Sequence, residues 1–340
     1  MKKGKLFKSS LLALTVFAST VNADITPKEA MIDGLDIKIK QIETMPYSPF
    51  LGDTLGYNFE NFKLFDENGS YYLENFKLIK QGVPSPVISI DNFGFKTNAE
   101  KSDTSYLIKG IKLDLSQALV NHNYKIINHL SNNLNENGGI DVSIQNIRED
   151  NNIKHISDIY FHQLLNIKTN ADLNTLAHYQ LSEVVNWDVN PLQYQALFDL
   201  FLHSLNSKDV SILLEDKGIV DSLIDNINKQ RIKDFEGKVS PEILSHIEID
   251  RKTAAGILRM MKQQMVETAI SGRNGFGPYD EISMVKMWFM KSSLDALADF
   301  VETSKPIELN SLMKEGMNLH AFFTEVMKDT DAFLQTFSIQ

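Results

Sequence analysis

Hydrophobic and polar residues alternate with a period of two over much of the first half of the chain. In GIDVSIQNI (139–147), Ile140, Val142 and Ile144 fall on one side of an extended chain, and the residues between them are polar. In LIKGIKLDL (107–115), the same spacing predicts that Leu107 and Ile111 share a face. Alternation of this kind is typical of β-strands. The pattern therefore predicts several strands in this half.

The sequence ENFKL occurs twice, at 60–64 and 74–78, with Asn68-Gly69 between the copies. Asn-Gly favours a tight hairpin because both residues tolerate a positive φ. A two-residue turn would set Lys63 opposite Glu74, an attractive pair. A three-residue turn would instead gather one apolar face, made of Phe62, Leu64, Tyr72, Phe76 and Leu78. The sequence leaves the register open, and either register places large apolar residues on both faces.

A small or polar residue followed by a large apolar one recurs along the first half. The copies are Gly34-Leu35, Asn61-Phe62, Asn75-Phe76, Asn92-Phe93, Gly110-Ile111, Asn146-Ile147 and Asp158-Ile159. Their spacing is irregular, which excludes a solenoid of fixed period and favours a meander of antiparallel strands. The longest gap holds an expected helix, at about 116–134, that ends at Asn137-Gly138-Gly139.

From Asn190-Pro191 onward helical patterns dominate, apart from a short strand in DVSILLE (209–215). The expected helical segments are 191–205, 219–230, 240–272 with a break near Asp250, 279–303 and about 318–335. A strand-rich half followed by a helix-rich half predicts the α+β class. The expected organisation is a signal peptide (1–23), an antiparallel sheet region (24–189) and a helix-rich region (190–340).

The N-terminus has the layout of a secretory signal peptide. Four lysines are followed by an apolar run from Leu11 to Val21, and Val21-Asn22-Ala23 offers the small residues of a cleavage site. We therefore expect an exported chain, periplasmic or secreted, with no transmembrane segment after cleavage. Loss of the four lysines changes the formal net charge of −10 to −14, which disfavours nucleic-acid partners. The chain has no cysteine, so disulfides are excluded.

No motif for catalysis, a metal or a cofactor stands out. The histidine pairs His122/His129 and His155/His162 lack the spacing of zinc ligands. The glycine-rich stretch SGRNGFGPYDE (271–281) has no phosphate-loop lysine, and its first interpretation is a helix stop at Gly272 followed by a loop. Contact of Arg273, Tyr279 and Asp280 with a polar headgroup is the second interpretation. We therefore expect a non-enzymatic protein without a metal or cofactor.

Methionine is concentrated near this stretch, with six of the twelve residues between 260 and 290. Two helices joined by the glycine-rich loop would bring these side chains together. Ordinary core packing is one interpretation; a deformable pocket for an acyl chain is the other, because methionine adapts to varied apolar partners.

Two resemblances follow from these patterns. The strand pattern of residues 34–165 resembles the antiparallel sheets of AsmA-like envelope lipid-transport proteins. The stretches SILLEDKGIVDSLID (211–225), SPEILSHI (240–247) and LADFVETSKPIELNSLM (297–313) resemble a group of uncharacterised exported alpha-proteobacterial envelope proteins. In that group an acid-glycine turn opens a helix, and a later helix leads into a short strand near a pair such as Lys305-Pro306. The resemblance implies an envelope address and no activity.

The first functional hypothesis is a periplasmic protein that binds a hydrophobic ligand such as a lipid, or supports envelope maintenance. A sheet with two apolar faces would need cover on both, and a ligand could provide one of them. The expected ligand-binding residues are Phe62, Phe76, Phe93, Phe95, Ile111, Met261, Met265, Met287 and Trp288. The alternative is a secreted interaction protein that uses the sheet to bind a partner protein. An enzyme of unrecognised type ranks third.

Overall fold

The computed structural model describes eleven stretches of the chain. They are residues 27–44, 52–65, 70–98, 103–114, 125–149, 152–175, 205–236, 238–240, 248–270, 284–311 and 337–339. These stretches contain eleven β-strands and five α-helices.

The strands are β1 (Leu55–Asn58), β2 (Asn61–Leu64), β3 (Tyr71–Lys80), β4 (Pro86–Thr97), β5 (Thr104–Leu113), β6 (Ile140–Glu149), β7 (Asn152–Phe161), β8 (Leu165–Thr175), β9 (Leu205–Asp216), β10 (Ile307–Ser311) and β11 (Phe337–Ile339). The helices are α1 (Pro27–Thr44), α2 (Lys125–Glu136), α3 (Ile219–Phe235), α4 (Arg251–Ile270) and α5 (Met284–Thr303).

All described strands belong to one antiparallel sheet. From β3 to β11 each strand pairs with the next in sequence, and β1 and β2 both pair with β3. The meander expected from the first half is therefore present. The sheet continues past the boundary expected near residue 189, because β9, β10 and β11 extend it. The helices are insertions or flanking elements of this sheet, so strands and helices are less segregated along the chain than the sequence suggests.

The repeated ENFKL segments form the expected pair of strands, in a register that differs from both candidates. Phe62 lies opposite Leu73, and the amide of Phe65 donates to the carbonyl of Ser70 at 2.8 Å. Residues 66–69, including Asn68-Gly69, lie outside the described residues. The Lys63 ammonium still reaches the Glu74 carboxylate at 3.8 Å, across the diagonal of the ladder.

Two residues with positive φ shift the alternation of buried and exposed side chains along their strands. Asn75 in β3 has φ 53°, and Gly110 in β5 has φ 66°. On either side of Gly110 the buried residues are Ile108 and Ile111, three positions apart instead of two. Leu107 is consequently 49% exposed, and the expectation that it shares a face with Ile111 is wrong. A bulge of this kind adds one residue to one strand and shifts the alternation.

The register makes one face of the sheet apolar and the other mainly polar. On the polar face a single cross-strand row runs from β3 to β10, with Leu107 and Leu213 its only aliphatic members. That row is Tyr72, Gly94, Leu107, Ser143, Asp158, Lys168, Leu213 and Glu308. The expectation of two apolar faces therefore applies to the hairpin alone, where Tyr72 and Phe65 pack outside the core at 6.1 Å.

Helix α1 covers the apolar face at the N-terminal end of the sheet. Met31, Leu35 and Ile39 recur every four residues, which places them on one side of a helix, and they are 4%, 2% and 6% exposed in the core cluster. The Glu43 carboxylate accepts the amide of Leu55 at 2.6 Å and so joins the helix to β1. The interpretation of Gly34-Leu35 as part of a strand is therefore wrong.

The other helices agree in part with the sequence. The second part of the helix expected at 116–134 is observed as α2, and residues 116–124 lie outside the described residues. The helix ends at Glu136, just before Gly138 and Gly139, which have φ 113° and 86°. The expected helix at 219–230 corresponds to α3, and α5 is the described part of the helix expected at 279–303. Helix α4 begins at the break expected near Asp250, whereas residues 241–247, 271–272 and 279–283 of the expected helices lie outside the described residues. The helices expected at 191–205 and 318–335 fall outside the described residues, except that Leu205 begins β9.

Candidate functional site

One row of side chains crosses the apolar face over eight strands, from β3 to β10. We call it the apolar row: Leu73, Phe93, Ile108, Val142, Ile159, Ile167, Leu214 and Ile307. Its first four members are at most 2% exposed and lie in the core that includes α1. Its last four members are only half-buried. All eight side chains of the row are thus apolar, but their burial decreases between β6 and β7.

The sheet residues expected to bind a ligand lie together at the packed end of this face. Phe76, Phe93, Phe95 and Ile111 are 7%, 2%, 6% and 4% exposed within the core cluster. Phe62 packs against that cluster and stacks on Tyr71 with 5.8 Å between ring centroids. These five residues are therefore close neighbours, as the sequence indicates, but they pack against α1 and one another.

The half-buried end of the apolar row was missed from the sequence. The strands around Ile167 and Leu214 alternate clearly, but beyond Leu165 and Ile167 the same face of β8 continues with the small or polar residues Thr169 and Ala171. The four half-buried positions span three strand spacings, about 14 Å in total. An extended stretch of acyl chain fits along a surface of that length.

Helices α4 and α5 pack against each other, as expected from the methionine-rich sequence. Ala255 and Ala298 are fully buried, and the Lys262 ammonium reaches the Asp295 carboxylate at 2.5 Å. Met261 lies on the outer side of α4 and is 48% exposed, next to Met260 at 57%. The side chains of Met265, Met287 and Trp288 lie outside the described residues, as does the loop that carries Arg273, Tyr279 and Asp280.

A buried polar cluster attaches α4 and α5 to the sheet. Asp216 follows Leu214 by two residues at the end of β9, so its side chain lies on the apolar side, and it is 2% exposed. Its carboxylate accepts bonds from Arg251 at 2.9 Å and Ser304 at 2.8 Å. Arg251 also forms a two-point contact with Asp221, at 2.6 and 2.8 Å. The cluster therefore holds the start of α4 and the end of α5 beside the last strands of the apolar row.

Electrostatics in this cluster favour the charged forms. Burial alone would raise the pKa of Asp216, but hydrogen bonds from the Gly218 amide, Ser304 and Arg251 give a net lowering. Contact with Asp221 is the main cause of the raised pKa of Arg251. Gly218 has φ 126°, and a Cβ there would lie 2.5 Å from the Gln163 carbonyl oxygen, so the turn into α3 requires glycine.

A polar network interrupts the apolar face where the row changes burial. The Asn146 side chain donates to Thr104 at 3.1 Å and lies 2.8 Å from Nδ1 of His155. Burial lowers the pKa of His155, so this imidazole is held neutral. On the polar face, Nε2 of His162 lies 3.1 Å from Asp141, so the two histidines lie on opposite sides of the sheet.

The described residues contain no group of three or more side chains suited to hold a metal ion. Within the same stretches, no helix is long and apolar enough to cross a membrane. A shallow cleft of about 440 Å³ lies between β5 and α2, but its lining is mainly polar, with Ser89, Lys112 and Asn135 among its residues. Comparison with protein-family models and with curated proteins finds no match for the chain.

Proposed function

We propose that the chain is an exported, periplasmic binding protein that holds a hydrophobic ligand, such as the acyl chain of a lipid, on the apolar face of its sheet. The observation that supports this proposal is the division of the apolar row. Ile159, Ile167, Leu214 and Ile307 continue the row without the close packing of its first half. The proposal assigns no reaction to the protein.

Burial of apolar area provides the driving force for such binding. Removing apolar surface from water contributes about 25 cal/mol per Å². The four half-buried side chains of the apolar row present apolar surface of this kind. No polar group interrupts the row. The neighbouring helices α4 and α5, held by Asp216 and Arg251, lie on the same side as Leu214. A ligand between the sheet and these helices would remain shielded from water.

The test is native mass spectrometry of the protein purified without detergent from the periplasm of a Gram-negative host. We expect extra mass that is lost on denaturation and matches a lipid. Binding of a fluorescent palmitate analogue then allows variants to be compared. Leu214→Gln should weaken binding, because it places an amide in the apolar row.

Leu213→Gln is the matched control. Leu213 is the neighbouring residue in β9, is also half-buried, and points to the polar face opposite Lys168. Equal retention of the probe by both variants, with folding intact by circular dichroism, would place the ligand elsewhere. A wild-type protein without adduct that also fails to bind the probe would contradict the proposal.

A second candidate function is recognition of a partner protein at the edge of the sheet. Leu64 and Phe65, at the end of β2, are 44% and 57% exposed. Exposed apolar residues beside an edge strand favour pairing with another chain. In this case native mass spectrometry would show a chain without lipid, and Phe65→Ser would weaken capture of the partner without affecting the palmitate probe.

A further inference from the structure

Three side chains on the polar face of the sheet form a compact group that we call the polar patch: Asp158, Tyr160 and Asn166. Tyr160 lies directly opposite Asn166 across the β7–β8 ladder, and Asp158 precedes Tyr160 by two residues on the same face. Asp158 and Asn166 are therefore diagonal neighbours, within reach of one small ligand. The patch lies on the opposite side of the sheet from Ile159 and Ile167.

Two oxygens of the polar patch have no hydrogen-bond donor among the described residues. They are Oδ1 of Asp158 and Oδ1 of Asn166, and both are shielded from solvent. Asn166 as a whole is only 7% exposed. A buried acceptor without a donor costs about 1–3 kcal/mol, and a charged one costs more. Because folded proteins satisfy nearly all such groups, two neighbouring acceptors without donors indicate a missing partner that carries hydrogens.

Three donors around the polar patch bind other acceptors. Lys168 lies opposite Asp158, but its ammonium pairs with Glu215 at 2.8 Å, and this bond raises the pKa of Lys168. The amide nitrogen of Asn166 also donates to Glu215, at 3.1 Å. On the other side, His162 contacts Asp141 at 3.1 Å. The surroundings therefore orient the Asn166 oxygen, and the Lys168 charge acts on Asp158 without a direct hydrogen bond to its Oδ1.

We propose that the polar patch binds a primary ammonium group. Asp158 supplies the opposite charge, Asn166 a neutral acceptor and Tyr160 an aromatic ring, and an ammonium group interacts favourably with all three. The local charges agree with a monovalent cation, since among the described residues the ion pairs of this region join Asp141 to His162 and Glu215 to Lys168 and Lys217, and none of them includes Asp158. The ligand is either a small free amine or the amine head group of a lipid, which share this chemistry.

Access to the site requires a side chain to move. Because both acceptor oxygens are shielded, a neighbouring side chain must turn aside to admit a ligand, and the ladder places Lys168 opposite Asp158 and Tyr160 opposite Asn166. Lys168 is also the competing cation, since rotation would bring its ammonium towards Asp158. We therefore expect Lys168→Met, which retains the stem and removes the charge, to bind amines more tightly than the wild type.

The experiment titrates the full chain with putrescine and, as a neutral probe of the same length, with 1,4-butanediol. We expect saturable amide shifts in β7 and β8 by NMR with putrescine alone. Asp158→Asn should weaken putrescine binding at least tenfold, about the effect of losing one charged hydrogen bond. Asp172→Asn is the control, because Asp172 is an exposed acid on the same face of β8.

Thermal unfolding separates a binding role from a structural one. Without ligand, Asp158→Asn should raise the Tm, because the new amide is neutral and can donate to the Asn166 oxygen. A structural role for Asp158 predicts a lower Tm instead. A wild-type protein that shows no saturable shift with putrescine beyond that with butanediol would overturn the proposal. So would equal weakening by Asp158→Asn and Asp172→Asn, because general screening then explains the response.

The two sources of the amine are separated with vesicles. Flotation with phosphatidylcholine vesicles that contain phosphatidylethanolamine, but not with phosphatidylcholine alone, would identify a lipid head group. Putrescine binding without flotation would identify a free amine. Leu214→Gln should leave putrescine binding unchanged, since its side chain is on the other face. The ammonium site and the proposed acyl-chain site can therefore fail independently.

Discussion

The two halves of the apolar row have the same chemistry and different surroundings. Leu73, Phe93, Ile108 and Val142 are at most 2% exposed, whereas Ile159, Ile167, Leu214 and Ile307 are half-buried. Helix α1 and the aromatic side chains of β3–β5 pack the first half. The second half lies beside helices held by the polar cluster at Asp216. Alternation thus decides which side chains share a face, and the covering elements decide whether that face forms a core or an accessible surface.

Truncating one residue in each half tests this difference most directly. Phe93→Ala removes a fully packed ring and should lower the free energy of unfolding by about 3–5 kcal/mol. Leu214→Ala removes a half-buried side chain and should cost about 1–2 kcal/mol. Urea unfolding followed by circular dichroism measures both. Equal losses at the two positions would mean that the second half is also a closed core.

The polar cluster at Asp216 offers a second comparison, between a buried and an exposed partner of Arg251. Asp216→Ala should lower the free energy of unfolding by about 2–3 kcal/mol, because it leaves buried donors without an acceptor. Asp221→Ala is the matched control: its side chain is 64% exposed, so the loss should be below about 1 kcal/mol. Hydrogen exchange in α4 and α5 should increase in the first variant only.

Replacement of Gly110 tests the bulge in the packed half of the sheet. Gly110→Ala puts a side chain at φ 66°, where its Cβ would collide with the Asp91 carboxylate. We expect a loss of about 1–2 kcal/mol. Gly94→Ala, in the neighbouring strand, meets only ordinary contacts at 3.7 Å or more and should be neutral or slightly stabilising. Thermal unfolding distinguishes the two, and equal effects would argue against the bulge.

The pH dependence of the free energy of unfolding tests the role of His155, which lies at the boundary between the two halves of the apolar row. Burial lowers its pKa below 6.5 in the folded chain, so the unfolded chain binds more protons between that lowered pKa and 6.5. The neutral His155 therefore contributes its full stabilisation of the fold above pH 6.5, and this stabilisation is lost as the pH falls through that window. His155→Gln should flatten the decline between pH 7.5 and 5, measured by urea unfolding.

His162→Gln is the control for this experiment, since His162 lies on the polar face beside Asp141. It should leave the decline caused by His155 in place. A decline that disappears in His162→Gln but persists in His155→Gln would assign the sensitivity to the polar face.

Several elements could be predicted because their signals are local. Alternation at Ile140, Val142 and Ile144 and the repeated ENFKL segments identify strands, and Gly138-Gly139 ends a helix through backbone conformations that glycine adopts easily. The hairpin register could not be predicted, because Asn-Gly is compatible with several loop lengths. Leu107 was placed on the wrong face, since a bulge depends on the neighbouring strands and not on the local pattern.

For the candidate sites, the sequence by itself determined which residue types alternate, and therefore that the sheet would have an apolar side. It brought Phe76, Phe93, Phe95 and Ile111 together correctly as neighbours. Only the tertiary structure decided that α1 covers them and that β9 and β10 extend the row to Leu214 and Ile307. The same holds for Asp158 and Asn166, whose missing donors are visible only after the ladder has placed them side by side. The physical reason is that periodicity is a property of one strand, whereas burial and hydrogen-bond satisfaction depend on partners distant in sequence.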